Sequence, residues 1–453
     1  MVKLLSSFSR LKSAKILILG DYLLDTYTTG KVHRISPEAP VPILHVQKYE
    51  DLPGGAGNVA LNLQALGADV LCVGRIGDDK DGERLKRLLG DEGIDTTGLF
   101  VEKEYRTPVK NRLIANSQQL MRIDNEIISP IDVALEEKVL SYISSHIDSI
   151  QVIAISDYGK GFLSRTLLKA VIDLANQKKI PSIVDPKGGD FTKYKYATLI
   201  KPNQKEAYEA AKLPDEASID EIGLSLLQCT KANLLMITRS ELGITLFDKE
   251  MNRFDFPVKS HEVKDVTGAG DTILAVTALI FASEDLDIKE GLHIANVAAG
   301  IAIEGVGCIR VSLSDIAERL IKLDIVNKVF DEEHLFVLEQ ALVNKKLTIL
   351  GLSSEQGISA ELFSQIQNLA NTNGDEYRLM IYVIDANPDE HFIALLASLH
   401  VVDFIVLQSD SLFSLSRKIH PERIFMIENK SLFEVDHPSS LIEKMQMRCI
   451  LKS

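Results

Sequence analysis

Short apolar runs rich in β-branched residues alternate with segments of helical periodicity along this chain of 453 residues. Strands joined by helices need crossover connections, and such connections produce a mostly parallel sheet with helices on both faces. We therefore predict an α/β protein with a doubly wound, mostly parallel sheet. The predicted strands lie at residues 15–19, 70–73, 152–155, 182–184, 198–200 and 234–237, and the helices between them include 59–66, 81–92 and 163–177.

Two extended segments interrupt this alternation. Residues 41–46 and 107–114 have the composition of strands but no helix of their own. We interpret them as a small separate β-sheet that could form a lid over a site. The alternative, that they are edge strands of the main sheet, stays open at the level of sequence.

A second and smaller strand–helix series follows. Strands are predicted at 347–350, 379–384, 404–407 and 424–427, with helices at 360–370, 391–399 and 412–419. A charged helix predicted at 331–344 precedes this series. We predict a first domain at 1–325, a linker helix at 326–344 and a smaller Rossmann-like α/β domain at 345–453.

Composition excludes several classes of protein. Hydrophobic residues make up 45% of the chain, which is enough to form large cores and excludes a mainly disordered protein. Asp and Glu total 64 against 50 Lys and Arg, and this acidic balance argues against nucleic-acid or membrane-surface partners. No apolar run is long enough to span a bilayer, and residues 1–12 do not resemble a signal peptide. Four cysteines lack metal-ligand or redox spacing: Cys72, Cys229, Cys308 and Cys449. We expect a cytoplasmic protein.

The most informative motif is DVTGAGD at residues 265–271, which precedes an apolar helix predicted at 272–281. Gly268, Ala269 and Gly270 would turn backbone N–H groups toward an anion at the helix N-terminus. Those groups could stabilise the charge on a transferred phosphoryl group. Asp271 would lie beside them and accept a proton from a hydroxyl group. The alternative is an ordinary helix cap with glycines in the preceding loop.

Two further motifs each have a functional and a structural interpretation. GGAGN at 54–58 lets the backbone at Gly55 approach a ligand, with Asn58 as donor and acceptor, or it is a helix start capped by Asn58. In KPNQKE at 201–206, Asn203 and Glu206 suit metal-bound water near phosphates, but the same spacing forms a capping box. These residues alone do not decide between the two.

Polar residues also follow other predicted strands. Asp21 and Asp25 follow the first strand, Lys160 follows the strand at 152–155, and Asp185 and Lys187 follow the strand at 182–184. The carboxyl ends of parallel strands meet along one edge of a sheet, where α/β proteins bind their ligands. We therefore expect a shared site along this edge.

Taken together, these motifs resemble the PfkB, or ribokinase-like, family of carbohydrate kinases. GGAGN and DVTGAGD are similar to the two signatures of that family and occur in the same order. Within the family, the resemblance is closest to the kinase half of bifunctional heptose-phosphate kinase/nucleotidyltransferases, and it covers about residues 11–320. The segments that carry it are HRISPEAPVP at 33–42, QQLMRID at 118–124, SDYGKG at 156–161, DPK at 185–187 and ITRS at 237–240.

The resemblance implies a role for each matching residue. Asp271 becomes the catalytic base, and Gly268, Ala269 and Gly270 become an anion hole. The nucleotide-binding segment becomes Asn203, Gln204, Lys205 and Glu206, of which Asn203 and Glu206 would hold Mg²⁺ through water. The substrate contacts become Asp25, Gly55, Asn58 and Asp185, and the candidates for binding a substrate phosphate are Arg112, Arg122, Lys160 and Lys187.

The implied reaction is phosphorylation of D-glycero-β-D-manno-heptose 7-phosphate by ATP at its anomeric hydroxyl, giving the 1,7-bisphosphate in ADP-heptose and lipopolysaccharide synthesis. ATP and Mg²⁺ are the implied co-substrate and cofactor, a monovalent cation is a further possible ligand, and family analogy implies a homodimer. The rival hypotheses are a related kinase for another phosphosugar, a non-catalytic nucleotide-sensing protein, and an enzyme that also transfers a nucleotidyl group.

In the bifunctional members a nucleotidyltransferase domain follows, and two histidines in the loop after its first strand hold the nucleotide's phosphates. In this chain Ile358 and Glu361 stand at those positions, and Phe392 stands where an arginine is usual. The stretch LLASLHVVDFIV at 395–406 still resembles the family. A neutral and an anionic side chain cannot replace two phosphate-binding imidazoles. We therefore expect a degenerate domain that keeps its fold and lacks nucleotidyl transfer.

Overall fold

The computed structural model of the protein describes residues 2–116, 118–214, 216–258, 266–305, 307–323, 328–331, 334–357, 359–373, 376–385, 387–407, 412–428 and 431–435. The chain divides into two compact units. One unit is Arg10–Ser312, and the other combines Met1–Ser9 with Leu313–Ser453. The sequence analysis placed the end of the first domain at residue 325, whereas this unit ends at Ser312. The domain boundaries from sequence stay a prediction.

The described strands of Arg10–Ser312 form two sheets, with helices packed between and around them. The strands are β1 (Lys15–Gly20), β2 (Tyr22–Ile35), β3 (Pro42–Gly55), β4 (Asp69–Gly77), β5 (Asp95–Glu102), β6 (Val109–Ala115), β7 (Gln118–Asn125), β8 (Val152–Ser156), β9 (Ser182–Asp185), β10 (Leu199–Ile200), β11 (Leu234–Thr238), β12 (Ile244–Asp248) and β13 (Arg253–Phe256). Helix α1 (Val2–Phe8) precedes this unit and belongs to the other one. The helices of Arg10–Ser312 are α2 (Ala56–Ala65), α3 (Lys80–Asp91), α4 (Val133–His146), α5 (Arg165–Lys178), α6 (Gln204–Ala211), α7 (Ile219–Thr230), α8 (Ala269–Ala282) and α9 (Ile288–Ala302).

The larger sheet has the strand order β13-β12-β11-β10-β9-β8-β1-β4-β5. All neighbours pair in parallel except at β12 and β13, which form an antiparallel edge. Parallel strands covered on both faces are buried along their length, so their sequences are continuous apolar runs. β1 shows this directly, because every residue after Lys15 is buried. The predicted doubly wound, mostly parallel sheet is confirmed.

A second sheet, here named the lid sheet, has the order β3-β2-β6-β7 and is separate from the larger sheet. The predicted small separate sheet is therefore confirmed, and the alternative of extra edge strands is wrong. β2 begins only one residue after β1 ends, so the chain passes at Asp21 from one sheet to the other. Several large apolar side chains of this region are exposed to solvent: Ile35, Val41, Tyr49, Met121 and Ile123.

The second unit has a smaller parallel sheet of its own, with the order β14-β17-β16-β15-β18-β19 and an antiparallel pair at β18 and β19. Its strands are β14 (Val329–Phe330), β15 (Lys346–Leu352), β16 (Tyr377–Val383), β17 (Phe404–Leu407), β18 (Arg423–Glu428) and β19 (Ser431–Glu434). Its remaining helices are α10 (Leu313–Leu323), α11 (Leu335–Ala341), α12 (Ala360–Asn373), α13 (Glu390–Ser398) and α14 (Leu412–Ile419). The predicted Rossmann-like α/β arrangement is confirmed. Among the described helices of the chain, none is both long and apolar enough to cross a membrane.

Candidate active site

The first turn of α8 forms the centre of the candidate site. Gly268 immediately precedes the helix with a φ of 83°, a left-handed conformation that favours glycine. A Cβ atom at this position would also lie only 3.1 Å from Nδ2 of Asn58. The first amides of a helix have no intrahelical acceptor and point toward the positive end of its dipole. Gly268, Ala269 and Gly270 thus stand at the start of a helix, which is the arrangement that the predicted anion hole requires. Asp265, the first residue of the motif, lies outside the described residues.

Asp271 lies in this first turn and is almost completely buried, with 4% of its surface exposed. Asn58 donates from Nδ2 to Oδ2 of Asp271 over 2.8 Å, and Tyr158 donates from its hydroxyl to Oδ1 over 2.9 Å. Burial raises the pKa of Asp271, whereas these two hydrogen bonds and the charge of Lys201 oppose that rise. The carboxylate is therefore fixed at both oxygens and retains lone pairs for a proton.

The loop after β8 delivers Tyr158 to Asp271. Asp21, at the end of β1, accepts the backbone N–H of Tyr158 over 2.9 Å and that of Lys160 over 3.0 Å. Arg75 donates to the carbonyl of Lys160 over 2.9 Å. Burial raises the pKa of Asp21 to about 6, and the nearby charge of Asp157 adds to the effect. Buried hydrogen bonds from two strands therefore set the conformation of this loop.

A second group of charged residues lies on the lid sheet or next to it, and we call this part of the site the lid side. Arg112 on β6 forms an ion pair with Asp25 on β2, and its guanidinium lies 5.3 Å from the ring centroid of Tyr27. Lys160 forms an ion pair with Glu126 over 2.6 Å. Gly55, the last residue of β3, precedes α2 and has a φ of 58°. These residues place hydrogen-bonding groups of both charges near the Asp271 carboxylate.

A cleft of about 1490 Å³ opens on the other side of Asp271. Asn203 caps α6, because its side chain accepts the N–H of Glu206 while Glu206 accepts the N–H of Asn203. Glu206 also accepts a hydrogen bond from Lys187 over 2.8 Å. The capping interpretation of Asn203 and Glu206 is therefore correct as a description of their contacts. Residues from the sequence prediction that line the cleft are Asp185, Lys187, Asn203, Gln204, Lys205, Glu206, Gly268, Ala269, Gly270 and Asp271.

Asp185 is the carboxylate of this cleft that pairs with Lys201. Its Oδ2 lies 2.9 Å from Nζ of the buried Lys201. Burial raises the pKa of Asp185 to about 7, with the Lys201 ammonium opposing the shift and the charge of Asp271 adding to it. Asp271 is buried and Asp185 is partly buried, and because two like charges near each other repel, a bound cation would stabilise both carboxylates. Within the described residues, no group of three or more His, Cys, Asp or Glu side chains could hold a metal ion alone.

The structure thus brings most of the predicted residues together around Asp271 and along the cleft. Arg122 differs, because its side chain is half exposed and pairs with Asp124 on the same strand. The sequence prediction did not assign roles to Tyr158 and Lys201. Both stand inside motifs that were singled out, SDYGKG and KPNQKE, and both line the cleft. Their position in those motifs was the signal that could have identified them.

Comparison with known proteins decides the family. Residues 13–315 match the sequence model described as pfkB family carbohydrate kinase. The chain belongs to this family. The predicted carbohydrate kinase, with a ribokinase-like fold, is therefore confirmed.

Relatives of the PfkB chain include proteins named "Bifunctional protein HldE". The protein of Geobacter metallireducens is 44% identical over 313 residues, which cover 69% of this chain and 64% of that protein. The protein of Campylobacter jejuni is 41% identical over 326 residues, covering 72% of this chain and 68% of that protein. The chain thus matches about two thirds of the length of these relatives.

Solved structures show the same fold at low sequence identity. Arabidopsis thaliana ribokinase, complexed with ribose and ATP, superposes with a TM-score of 0.54 at 17% identity, covering 68% of this chain and 99% of that one. Phosphofructokinase-2 of Escherichia coli, in complex with potassium, gives a TM-score of 0.56 at 20% identity, covering 69% and 99%.

Proposed function

We propose that this PfkB protein transfers the γ-phosphoryl group of ATP to the anomeric hydroxyl of D-glycero-β-D-manno-heptose 7-phosphate, giving the 1,7-bisphosphate. The observation that carries the proposal is the position of Asp271. It stands at the N-terminus of α8, held by Asn58 and Tyr158, with a large cleft on one side and the charged residues of the lid side on the other. The relatives named bifunctional HldE and the motifs quoted above support the choice of a heptose phosphate.

The geometry supports an in-line phosphoryl transfer. The sugar hydroxyl attacks the γ-phosphorus, its proton passes to Asp271, and the bond from the γ-phosphorus to the bridging oxygen breaks as ADP leaves. The first-turn amides of Gly268, Ala269 and Gly270 would stabilise the charge that develops on the transferred group. Because Asn58 and Tyr158 already bond both oxygens of Asp271, the base needs little reorganisation to receive the proton.

Residues that fit Mg²⁺ lie along the cleft. Asp185 is a partly buried carboxylate with a raised pKa, and Asn203 and Glu206 stand at the start of α6. Mg²⁺ binds through few protein ligands together with waters and nucleotide phosphates, which agrees with this small set. When bound, the ion would neutralise charge on the phosphates. Lys187, on the same side of the site as Glu206, would then contact nucleotide rather than sugar. A monovalent cation is a further proposed ligand.

For the second unit we propose a folded domain without nucleotidyl transfer. The loop after β15 contains Glu355 and no His, Lys or Arg, and this charge repels a triphosphate. Ser353 donates to Asp385 over 2.7 Å, and Gln356 donates to the carbonyl of Ile427 over 2.6 Å, so the loop is bonded to the ends of neighbouring strands. Glu361 lies in the first turn of α12, and Ile358 lies outside the described residues.

We further propose a cytoplasmic homodimer without nucleic-acid or membrane partners. Several large apolar side chains of the lid-sheet region are exposed, including Tyr49 and Met121, and association of two copies could cover them. ATP as co-substrate agrees with a cytoplasmic location.

A substrate panel tests the proposed function. The full-length protein, with ATP and Mg²⁺, would be offered heptose 7-phosphate, the same heptose without phosphate, and other hexose and pentose phosphates. We expect the highest kcat/KM for heptose 7-phosphate and an anomeric phosphate in the ³¹P NMR spectrum of the product. Preference for another phosphosugar, or phosphate at another hydroxyl, would replace the proposed substrate. Hydrolysis of ATP with none of the offered sugars phosphorylated would contradict the proposed phosphoryl transfer to a sugar.

A further inference from the structure

Lys110 is a charged residue of the lid side to which no role has been given above. It lies on β6, where its register partners are Asp25 on β2 and Asp124 on β7. Its Nζ atom lies 5.1 Å from the ring centroid of Tyr158. Since the hydroxyl of the same tyrosine donates to Asp271, Lys110 stands one side chain away from the catalytic base.

The pairing of Lys110 differs from that of the other candidate cations. Each of the four cations proposed from sequence to bind a substrate phosphate already has a carboxylate partner: Arg112 with Asp25, Lys160 with Glu126, Arg122 with Asp124, and Lys187 with Glu206. Lys110 is half-buried, and no hydrogen bond or ion pair to a described residue is formed by its Nζ atom. A half-buried ammonium group that has no protein acceptor is free to bind an anionic ligand.

The surroundings of Lys110 indicate the charge of that ligand. Burial lowers the pKa of Lys110, and the positive charges of Lys160 and Arg122 lower it further, although Asp25 and Glu126 oppose this. Three cations therefore act on one another at this position. A phosphate carries close to two negative charges and three acceptor oxygens at neutral pH, so it can accept from Lys110 and add negative charge beside Lys160 and Arg122, which are already paired.

A neighbouring group indicates that the ligand also carries hydroxyls. Oε1 of Glu126 accepts from Lys160, but Oε2 is buried and has no hydrogen-bond partner among the described residues. Nζ of Lys110 thus lacks an acceptor and Oε2 of Glu126 lacks a donor, and the charge of Glu126 acts on Lys110. A phosphorylated sugar offers both complementary groups.

We propose that Lys110 binds the phosphate group that the sugar substrate already carries, and so makes the enzyme select phosphosugars over free sugars. The inference rests on the proposed function only in requiring a phosphosugar substrate. Nucleotide phosphates are a poorer match, because the cleft on the other side of Asp271 has its own lysines, Lys187, Lys201 and Lys205.

Kinetics of the full-length Lys110→Met variant test the proposal. The control is Lys48→Met, which removes an exposed lysine of the lid sheet that pairs with Glu50. Three quantities are measured for each protein: kcat/KM for heptose 7-phosphate, kcat/KM for the unphosphorylated heptose, and KM for ATP. A Lys110→Arg variant, which retains the charge, is measured alongside, and circular dichroism verifies that each variant is folded.

We expect Lys110→Met to lower kcat/KM for the phosphosugar about 10- to 100-fold, chiefly through KM, as loss of a charged hydrogen bond would. The value for free heptose and KM for ATP should change less than about threefold, Lys110→Arg should recover part of the loss, and Lys48→Met should match the parent. Equal losses on both sugars would overturn the proposal, because Lys110 would then only support Tyr158. An effect confined to KM for ATP would overturn it in favour of a nucleotide contact.

The test separates failure of this inference from failure of the proposed function. If the parent protein prefers another phosphosugar, the heptose assignment is wrong, and the same comparison is made with that sugar and its phosphate-free form. If the parent prefers unphosphorylated sugars, both the proposed substrate class and the role of Lys110 are wrong. That result is visible before any variant is made.

Discussion

The hydroxyl group of Tyr158 donates to Oδ1 of Asp271 over 2.9 Å, joining the loop after β8 to the first turn of α8. The two residues are 113 positions apart in the sequence. Asn58, at the start of α2, holds the other oxygen. The Asp271 carboxylate, the proposed base, is thus positioned by two separate segments, and each hydrogen bond opposes the effect of burial on its pKa.

Replacing Tyr158 by Phe should lower kcat and move the acidic limb of the pH–rate profile to higher pH. The Tyr158 hydrogen bond lowers a pKa that burial has raised, so its removal raises the pKa of Asp271 further. The ionised base then disappears at a higher pH as the solution is acidified. The fall in kcat should be about tenfold, less than on removal of the carboxylate itself, because Asp271 stays ionisable but loses one of the two contacts that position it.

Tyr142→Phe is the matched control, since its hydroxyl bonds to Thr97 away from the site. A Tyr158→Phe enzyme whose profile coincides with that of the parent would show that the tyrosine does not influence the base.

Glu206→Gln should weaken activity at limiting Mg²⁺, with recovery as the metal is increased. Gln retains the acceptor that the capping box requires but lacks the charge that would hold metal-bound water. The chain supplies a matched control in Glu221→Gln, because Glu221 forms the same capping box with Ser218 at the start of α7. Coinciding magnesium titrations for parent and Glu206→Gln would leave Asn203 and Glu206 with a capping role alone.

Residues 1–330 should retain kinase activity without the rest of the second unit. Every side chain assigned to the reaction, and the whole lining of the cleft, belongs to Arg10–Ser312. The full-length protein should produce no ADP-heptose from heptose 1-phosphate and ATP. Kinase assays of the truncated chain and chromatography of the second reaction measure the two outcomes. A folded but inactive 1–330 chain, or ADP-heptose formed at a useful rate, would reassign the second unit to catalysis.

Many parallel strands of both units could be predicted because a strand that is buried on two faces has a continuous apolar run in its sequence, as in β1 and β17. The predicted helix at 412–419 coincides with α14. The strand β2 was not predicted, because its start at Tyr22 depends on a change of sheet within one residue. The antiparallel strands β12 and β13 were missed as well: β13 is a short edge strand with two charged residues, and the apolar run of β12 is interrupted by Thr245.

The candidate site was predictable only in part. Glycines before α8 and polar residues after strands are visible in sequence, but partners distant in the chain are not. Asn203 and Glu206 illustrate the limit, because the same oxygens serve a helix cap or a metal site. Arg112 illustrates it again, since its partner Asp25 is 87 positions away. Sequence cannot show that Arg112 is paired while Lys110 is not.

The most direct test of the whole account is the turnover of Asp271→Asn. Asn keeps the size of the side chain and much of its hydrogen bonding, but it cannot accept the hydroxyl proton. We predict a fall in kcat of about 10²–10⁴-fold, the usual range for loss of a general base, with ATP affinity and melting temperature close to those of the parent. Turnover within a few-fold of the parent would contradict the assignment of Asp271 as the base and, with it, the mechanism proposed for this site.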